Sequence, residues 1–351
     1  MKSSDIQAKE QTSLANAFKQ RHKMLVNRAS AIFPLHQRPK TDLVIAFLNY
    51  WKIKNNIGSV CCNLRIYQAD GTLAVTHSQP IEHNHTEISV RTRLEGKDFD
   101  GMVEVEFLST QNLGFNFPGI VGFYRAGDTF SVVHSAGRVK NPDEPVFPTH
   151  TEESNWSCKF GDGVTPFFHV FNGPRAQTDD LIQVRLIAGN NREIASKEIR
   201  TELKRPFSSR MFFTDQIFDC QNLPPETFLS VTLPSGEVFP RLVVGNYYKS
   251  LQFLEATHSF PWTTIQDYVA RPEAGSLSSF MPAIQPQGLS LQMVSFPTNA
   301  SAHVTGQIRI MKDSDTALQP SSRKVSWHTG GTAAKVQVFE LAENEKMLCV
   351  D

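Results

Sequence analysis

The chain has 351 residues, with 35 Lys and Arg against 35 Asp and Glu, and 40% of it is hydrophobic. That is apolar chain enough for two or three cores at roughly 100 to 150 residues per domain, so wholesale disorder is excluded. A formal charge of zero excludes an overall attraction to nucleic acid, and 25 Phe with 20 Gly and 20 Pro favour many short strands between turns over a few long helices.

The first 40 residues stand apart. Leu14, Phe18, Leu25, Ala29 and Ile32 recur at near-helical spacing after Thr12 and Ser13 and before Pro34, which predicts an amphipathic N-terminal α-helix. Eight basic and two acidic residues give this segment +6, and a neutral total leaves −6 for the rest. Such a helix packs on its own first domain, or makes a peripheral membrane contact or docks on an acidic partner. Charges at Lys2, Asp5, Lys9 and Glu10 leave no apolar signal region, and no uncharged run is long enough to span a bilayer. The expectation is a cytoplasmic protein with no transmembrane segment. Five cysteines without CxxC spacing read as reduced thiols.

Beyond residue 40 short alternating runs take over. Met102 and Glu104 alternate with Val103, Val105 and Phe107, the pattern of a half-buried strand. Similar runs cover 181–187, 228–233 and 335–341, divided by turn signals such as Asp70-Gly71 and Gly189-Asn190.

These runs repeat. Asn63-Leu64-Arg65-Ile66-Tyr67 matches Gln183-Val184-Arg185-Leu186-Ile187 and again Gln307-Ile308-Arg309-Ile310-Met311. The arginines are 120 residues apart (185 minus 65) and then 124 (309 minus 185). An aromatic-rich strand precedes each copy (Phe47 to Trp51, Phe167 to Phe171, Leu291 to Phe296), and Phe117-Pro118 and His134-Ser135 correspond to Phe239-Pro240 and His258-Ser259. The fold class expected is all-β: three tandem antiparallel β-sandwiches, immunoglobulin-like or jelly-roll-like, after an N-terminal helix. The boundaries follow as a helical segment 1–40, then repeats at 41–148, 149–270 and 271–351, with Pro142, Pro145 and Pro148 at one junction and Arg271 to Gly275 at the next. By this spacing the third copy is short of its last strands. It is either a truncated fragment or completed by the helix, by a partner strand or by a second copy in a homo-oligomer.

Four groups of residues carry candidate chemistry. His77, His83, His85 and Glu87, with Glu82 nearby, lie in the densest polar cluster, and an H-x-H pair beside a carboxylate suits a divalent transition metal. Pro80 interrupts that segment and the other copies lack an equivalent, so a solvated loop or edge strand is the first reading and the metal the alternative. His134 and His258 precede serines, but neighbours on a strand point to opposite faces, which favours a structural histidine over a nucleophile-base pair. Arg65, Arg185 and Arg309 sit in apolar strands, so alternation sends them outward to solvent, to a carboxylate or to a ligand platform. Asp98 and Asp100 with Asp128, or Asp179 and Asp180, give a weak signal for a calcium-dependent lipid-binding loop and complete the set. No phosphate-loop, dinucleotide or calcium-loop pattern is present, and no cofactor is expected.

Tandem copies without a catalytic motif argue against an enzyme. They favour a binding or scaffold protein that recognises an extended glycan or polypeptide, through Arg65, Arg185, Arg309, His134 and His258. One alternative is a metal-dependent enzyme or sensor built on the His77, His83, His85 and Glu87 cluster. The other is an assembly subunit completed by strand exchange.

Overall fold

The computed structural model describes residues 27–261, apart from the segments 114–118, 135–136, 140–150, 162, 176–180, 189–191, 204, 225–226 and 234–241, together with six strands between 279 and 350. Every strand pairing in it is antiparallel. The first repeat holds β1 (Asn27–Gln37), β2 (Thr41–Leu48), α1 (Tyr50–Asn55), β3 (Val60–Gln68), β4 (Leu73–Pro80), β5 (His85–Ser89), α2 (Val90–Arg93), β6 (Phe99–Ser109), β7 (Ile120–Ala126) and β8 (Thr129–His134). Its two sheets have the strand orders β1-β6-β3-β4 and β5-β2-β7-β8. Adding four to each strand number, counted modulo eight, turns one order into the other, so the sheets share one layout. It differs from the immunoglobulin constant order, where consecutive strands A and B pair within a sheet.

The second repeat holds β9 (Thr151–Asn155), β10 (Val164–Phe171), β11 (Leu181–Ile187), β12 (Glu193–Arg200), β13 (Ser209–Phe213), β14 (Phe228–Leu233), β15 (Val243–Tyr248), β16 (Phe253–His258) and β17 (Phe260–Pro261). Its orders, β12-β11-β14-β9-β17 and β13-β10-β15-β16, reproduce those of the first repeat strand for strand, with β17 added beside β9. Even that addition has a counterpart, because Gly137 bridges Ile32 at the edge of β1. The remaining strands are β18 (Ser279–Pro282), β19 (Leu291–Ser295), β20 (Val304–Lys312), β21 (Arg323–Thr329), β22 (Lys335–Phe339) and β23 (Glu345–Val350). Their orders β18-β23-β20-β21 and β19-β22 follow the same plan through its first six strands. The junction residues Pro142, Pro145, Pro148 and 271–275 lie outside the described residues, as do Phe117-Pro118 and Phe239-Pro240.

Two readings of local structure change. Residues 27–37 form a strand rather than the end of a helix, so the first sandwich begins by Asn27 and not at residue 41. Ala29, Ala31, Phe33 and Leu35 alternate into the core, and full-length pairing with β6 outweighs the helical spacing of Ala29 and Ile32. Pro34 is tolerated because β1 lies at the sheet edge. The rest of the expected helix, residues 1–26, lies outside the described residues. The aromatic run Phe47 to Trp51 also divides: β2 ends at Leu48, Asn49 accepts from the Lys52 amide at 3.2 Å as a helix cap, and α1 drops Trp51 into the core against Phe107.

The first core contains Phe33, Ile45, Phe47, Trp51, Leu64, Ile66, Val105 and Phe107, all buried, and the second contains Phe168, Val184, Leu186, Leu229 and Val231. The cores are not separate bodies. Phe167, Val243, Leu254 and Ala256, on the outer face of the β13-β10-β15-β16 sheet, belong to the first core. Between its edge strands β1 and β8 the first sandwich is open, and this face closes it. His36 meets Phe213 and Tyr247 edge-on, and Tyr67 stacks on Phe207 at 4.7 Å.

Candidate functional site

The outer face of the β1-β6-β3-β4 sheet holds the strongest charge cluster among the described residues. Arg65 lies opposite Glu104 in register and Asn63 opposite Glu106. Arg65 reaches Glu104 at 3.3 Å and Glu106 at 2.5 Å, while Arg28 donates to Glu104 at 2.8 Å and Glu106 at 2.5 Å. Asn63 adds a 3.1 Å bond to Glu106, and the Arg28 guanidinium also reaches the Val139 carbonyl at 3.2 Å. Glu104 is 0% exposed. Burial, and then the neighbouring Glu106 charge, push its carboxyl above the usual range against the pull of the two arginines. The strand read as half-buried is therefore covered on both faces, because guanidinium stems and the 137–139 segment lie over it.

Arg185 occupies the matching position in the second repeat, but Ser230 stands where Arg65 faces Glu104. The carboxylate has moved one strand over: Arg185 pairs with Glu152 of β9, to which Ser230 also donates, and with Glu193 at 3.6 Å. By register Glu152 corresponds to Ser30, since Glu152 lies opposite Thr232 and Ser30 opposite Glu106. Arg309 keeps the same lattice position, opposite Cys349 and Lys324. Arg65 and Arg185 thus face outward and hold carboxylates, with side chains 30% and 24% exposed.

His134 and His258 also fall on one lattice position, paired with Val121 and Val243. The structure brings them together across the repeat boundary, with ring centroids 4.5 Å apart. His258 bonds through Nδ1 with the Ser259 carbonyl at 2.9 Å. The Ser259 hydroxyl donates to the buried Glu153 and accepts from the Leu242 amide at 2.8 Å, and no bond joins it to the imidazole. Ser135 lies outside the described residues.

The histidine cluster is not brought together. His77 is on β4 in one sheet and bonds Gln79 at 3.0 Å; His85 and Glu87 are on β5 in the other sheet, exposed and 3.5 Å apart. His83 and Glu82 lie in the exposed connection between them. Among the described residues no three His, Cys, Asp or Glu side chains are placed to hold a metal ion. Asp100 is instead bonded to His36 at 2.7 Å and Arg38 at 3.0 Å, which hold its carboxyl low against the opposing effect of burial; Asp179 and Asp180 lie outside the described residues.

Open clefts lie among the described residues as well. One of about 650 Å³ lies between Val60, Cys61, Pro80, Ile81 and Leu108, with Lys52 and Glu82 also in its lining. Another, of about 620 Å³, lies between Cys158, Phe160, Cys220 and Leu223. Cys61, Cys62, Cys158 and Cys220 are free thiols. Burial pushes Cys62 up to about 12 and Cys220 to about 11, so these two stay protonated and weakly nucleophilic at neutral pH.

Sequence reasoning located the repeated arginines and histidines but missed Arg28 and Glu152 as members of the charge clusters, His36 as the partner of Asp100, and the buried His169. The alternation over 102–107 set Glu104 on the face opposite Val103, Val105 and Phe107, but its partner Arg65 lies on the neighbouring strand β3, which no local pattern shows. Among the described residues no helix is long and apolar enough to cross a membrane. No protein-family model matches the chain, and no curated protein matches it in sequence.

Proposed function

We propose that this is a non-catalytic tandem β-sandwich protein that binds or scaffolds an extended ligand, a glycan or a polypeptide, through like faces of successive repeats. One observation carries the reading. Arg65, Arg185 and Arg309 take the same register position in three sheets of one strand order, and in the first two the guanidinium faces outward, so the chain repeats an arginine on a constant lattice. A guanidinium that remains partly exposed while its charge is balanced by carboxylates presents N–H donors to a hydroxyl or carbonyl ligand without strong non-specific attraction for anions. Weak contacts repeated along one chain give avidity when ligand length spans the repeats.

The test is a length series of oligosaccharides and of extended peptides presented to the full chain, with affinity read by calorimetry or interferometry. Affinity should rise by at least tenfold between ligands that reach one repeat and ligands that reach two. Equal affinity across the series for every ligand that binds would sink the reading.

A further inference from the structure

The arginine-bearing sheets all end in a strand with one open edge. β4, β12 and β21 hold the same place in their strand orders, and among the described residues each pairs only with its inner neighbour. Charge commonly guards such an edge. β12 carries Glu193, Lys197, Glu198 and Arg200, and β21 carries Arg323 and Lys324. β4 has no Lys, Arg, Asp or Glu in its eight residues, and from Ala74 to Pro80 its side chains alternate between exposed and half-buried. This unguarded edge runs into the cleft of about 650 Å³. Pro80, Cys61 and Leu108 are register partners across three strands and line the cleft on the outer face, one row beyond Asn63 and Glu106 and two beyond Arg65 and Glu104. Val60 and Ile81 extend the aliphatic wall, and no described aromatic side chain lines it. Such a wall suits a branched apolar side chain, whereas a sugar ring needs hydrogen-bond partners that it does not supply.

We propose that β4 is a docking edge for an extended polypeptide, which adds to the β1-β6-β3-β4 sheet as a fifth strand and seats one aliphatic side chain in the cleft beside Pro80. The inference rests on the reading of an extended-ligand binder and chooses polypeptide over glycan. The chemistry of the edge makes the choice. Its open side is a row of main-chain N–H and C=O groups at strand spacing, which another strand matches along its whole length. Main-chain bonds of this kind supply affinity whatever the sequence, and a pocket for one side chain supplies selectivity. Pro80 joins the two parts: it has no N–H, so it closes the ladder where the cleft begins. Thr76 and Ser78, placed opposite Arg65 and Asn63, are small and uncharged and leave room for the side chains of the added strand.

Fluorescence anisotropy of the full chain with a panel of Lys-capped peptides of alternating Thr and Val, each with one Leu, Ile or Met, tests it. Binding should saturate for at least one of them. N-methylation of one alternate set of its amides, which removes donors and keeps every side chain, should weaken binding by about tenfold or more, while methylation of the other set is tolerated. Bound peptide should also shield Cys61 in the cleft from iodoacetamide several-fold relative to Cys220, a thiol of similar exposure in the second repeat. Binding that tolerates methylation of both sets, or that leaves Cys61 as reactive as before, overturns the proposal. So does failure of the whole panel to bind, the outcome if a second copy or another segment of this chain already holds the edge. Ligand length judges the broader reading separately. Oligosaccharide affinity that climbs with length while every peptide fails keeps that reading and removes this one; a peptide that docks on β4 with no gain from added length does the reverse.

Discussion

The buried charges of the first repeat are costly to isolate and cheap to relocate. Glu104 is fully buried and shared by Arg28 and Arg65, so Glu104→Ser leaves two guanidinium groups competing for Glu106 and should destabilise the fold by about 3 to 5 kcal/mol, as for other broken buried pairs. The second repeat shows a working alternative, with serine at the Glu104 position and the carboxylate at the Ser30 position. Ser30→Glu and Glu106→Thr added to Glu104→Ser reproduce that arrangement, since Glu152 lies opposite Thr232 and Ser30 opposite Glu106, and should recover at least half of the loss in urea-unfolding experiments. If the triple variant is no more stable than the single one, the two repeats do not share this logic. Three arginines at spacings of 120 and 124 residues were readable from the sequence, and so was the outward direction of Arg65 and Arg185. Their partners were not, because the carboxylate comes from β6 in one repeat and β9 in the other, and strand adjacency is settled only by the strand order.

At the scale of elements, the edge strands decide how repeats join. β16 would present unpaired backbone groups along its free edge, an invitation to aggregation. Ser131 of β8 fills that edge: its hydroxyl accepts from the Ala256 amide at 2.9 Å and donates to the Leu254 carbonyl at 2.9 Å. Ser131→Ala removes both bonds and should cost about 1 to 3 kcal/mol. Hydrogen exchange at the Ala256 amide should quicken while the centre of β6 stays protected. Unchanged exchange at Ala256 would show that the serine is not what protects this edge. β8 itself was implied by the repeat of His134 and His258, but a serine serving as a strand mimic leaves no periodic trace. β1 illustrates the opposite failure. Its Ala29 and Ile32 suit a helix three residues apart and a strand two by two, and only the eleven-residue ladder with β6 chooses between them. Alternation made β6 legible as a strand, while the cover on its second face comes from side chains distant in sequence, which a local pattern does not encode.

For the whole molecule, the two described repeats fold as one unit because the first core is finished by the second repeat, and one titratable group sits in that joint. His169 lies on the outer face of the β13-β10-β15-β16 sheet between Phe167 and Phe171, each of which packs into a cluster with first-repeat residues, and it is 2% exposed. Burial lowers its pKa from 6.5 to about 3, so the folded pair holds it neutral. The unfolded chain binds a proton near pH 6.5 that the folded chain refuses until about pH 3, so the contribution to stability is complete above pH 6.5 and is lost as pH falls through this window, at about 1.4 kcal/mol per pH unit. Chemical unfolding between pH 7 and pH 4 should therefore show the first and second repeats losing stability together. His169→Phe, which suits the aromatic surroundings and cannot titrate, should flatten that slope by about one proton. An unaltered slope in this variant would place the acid sensitivity elsewhere. If the first repeat kept its stability at pH 4 while the second lost its own, the joint core would not couple the two.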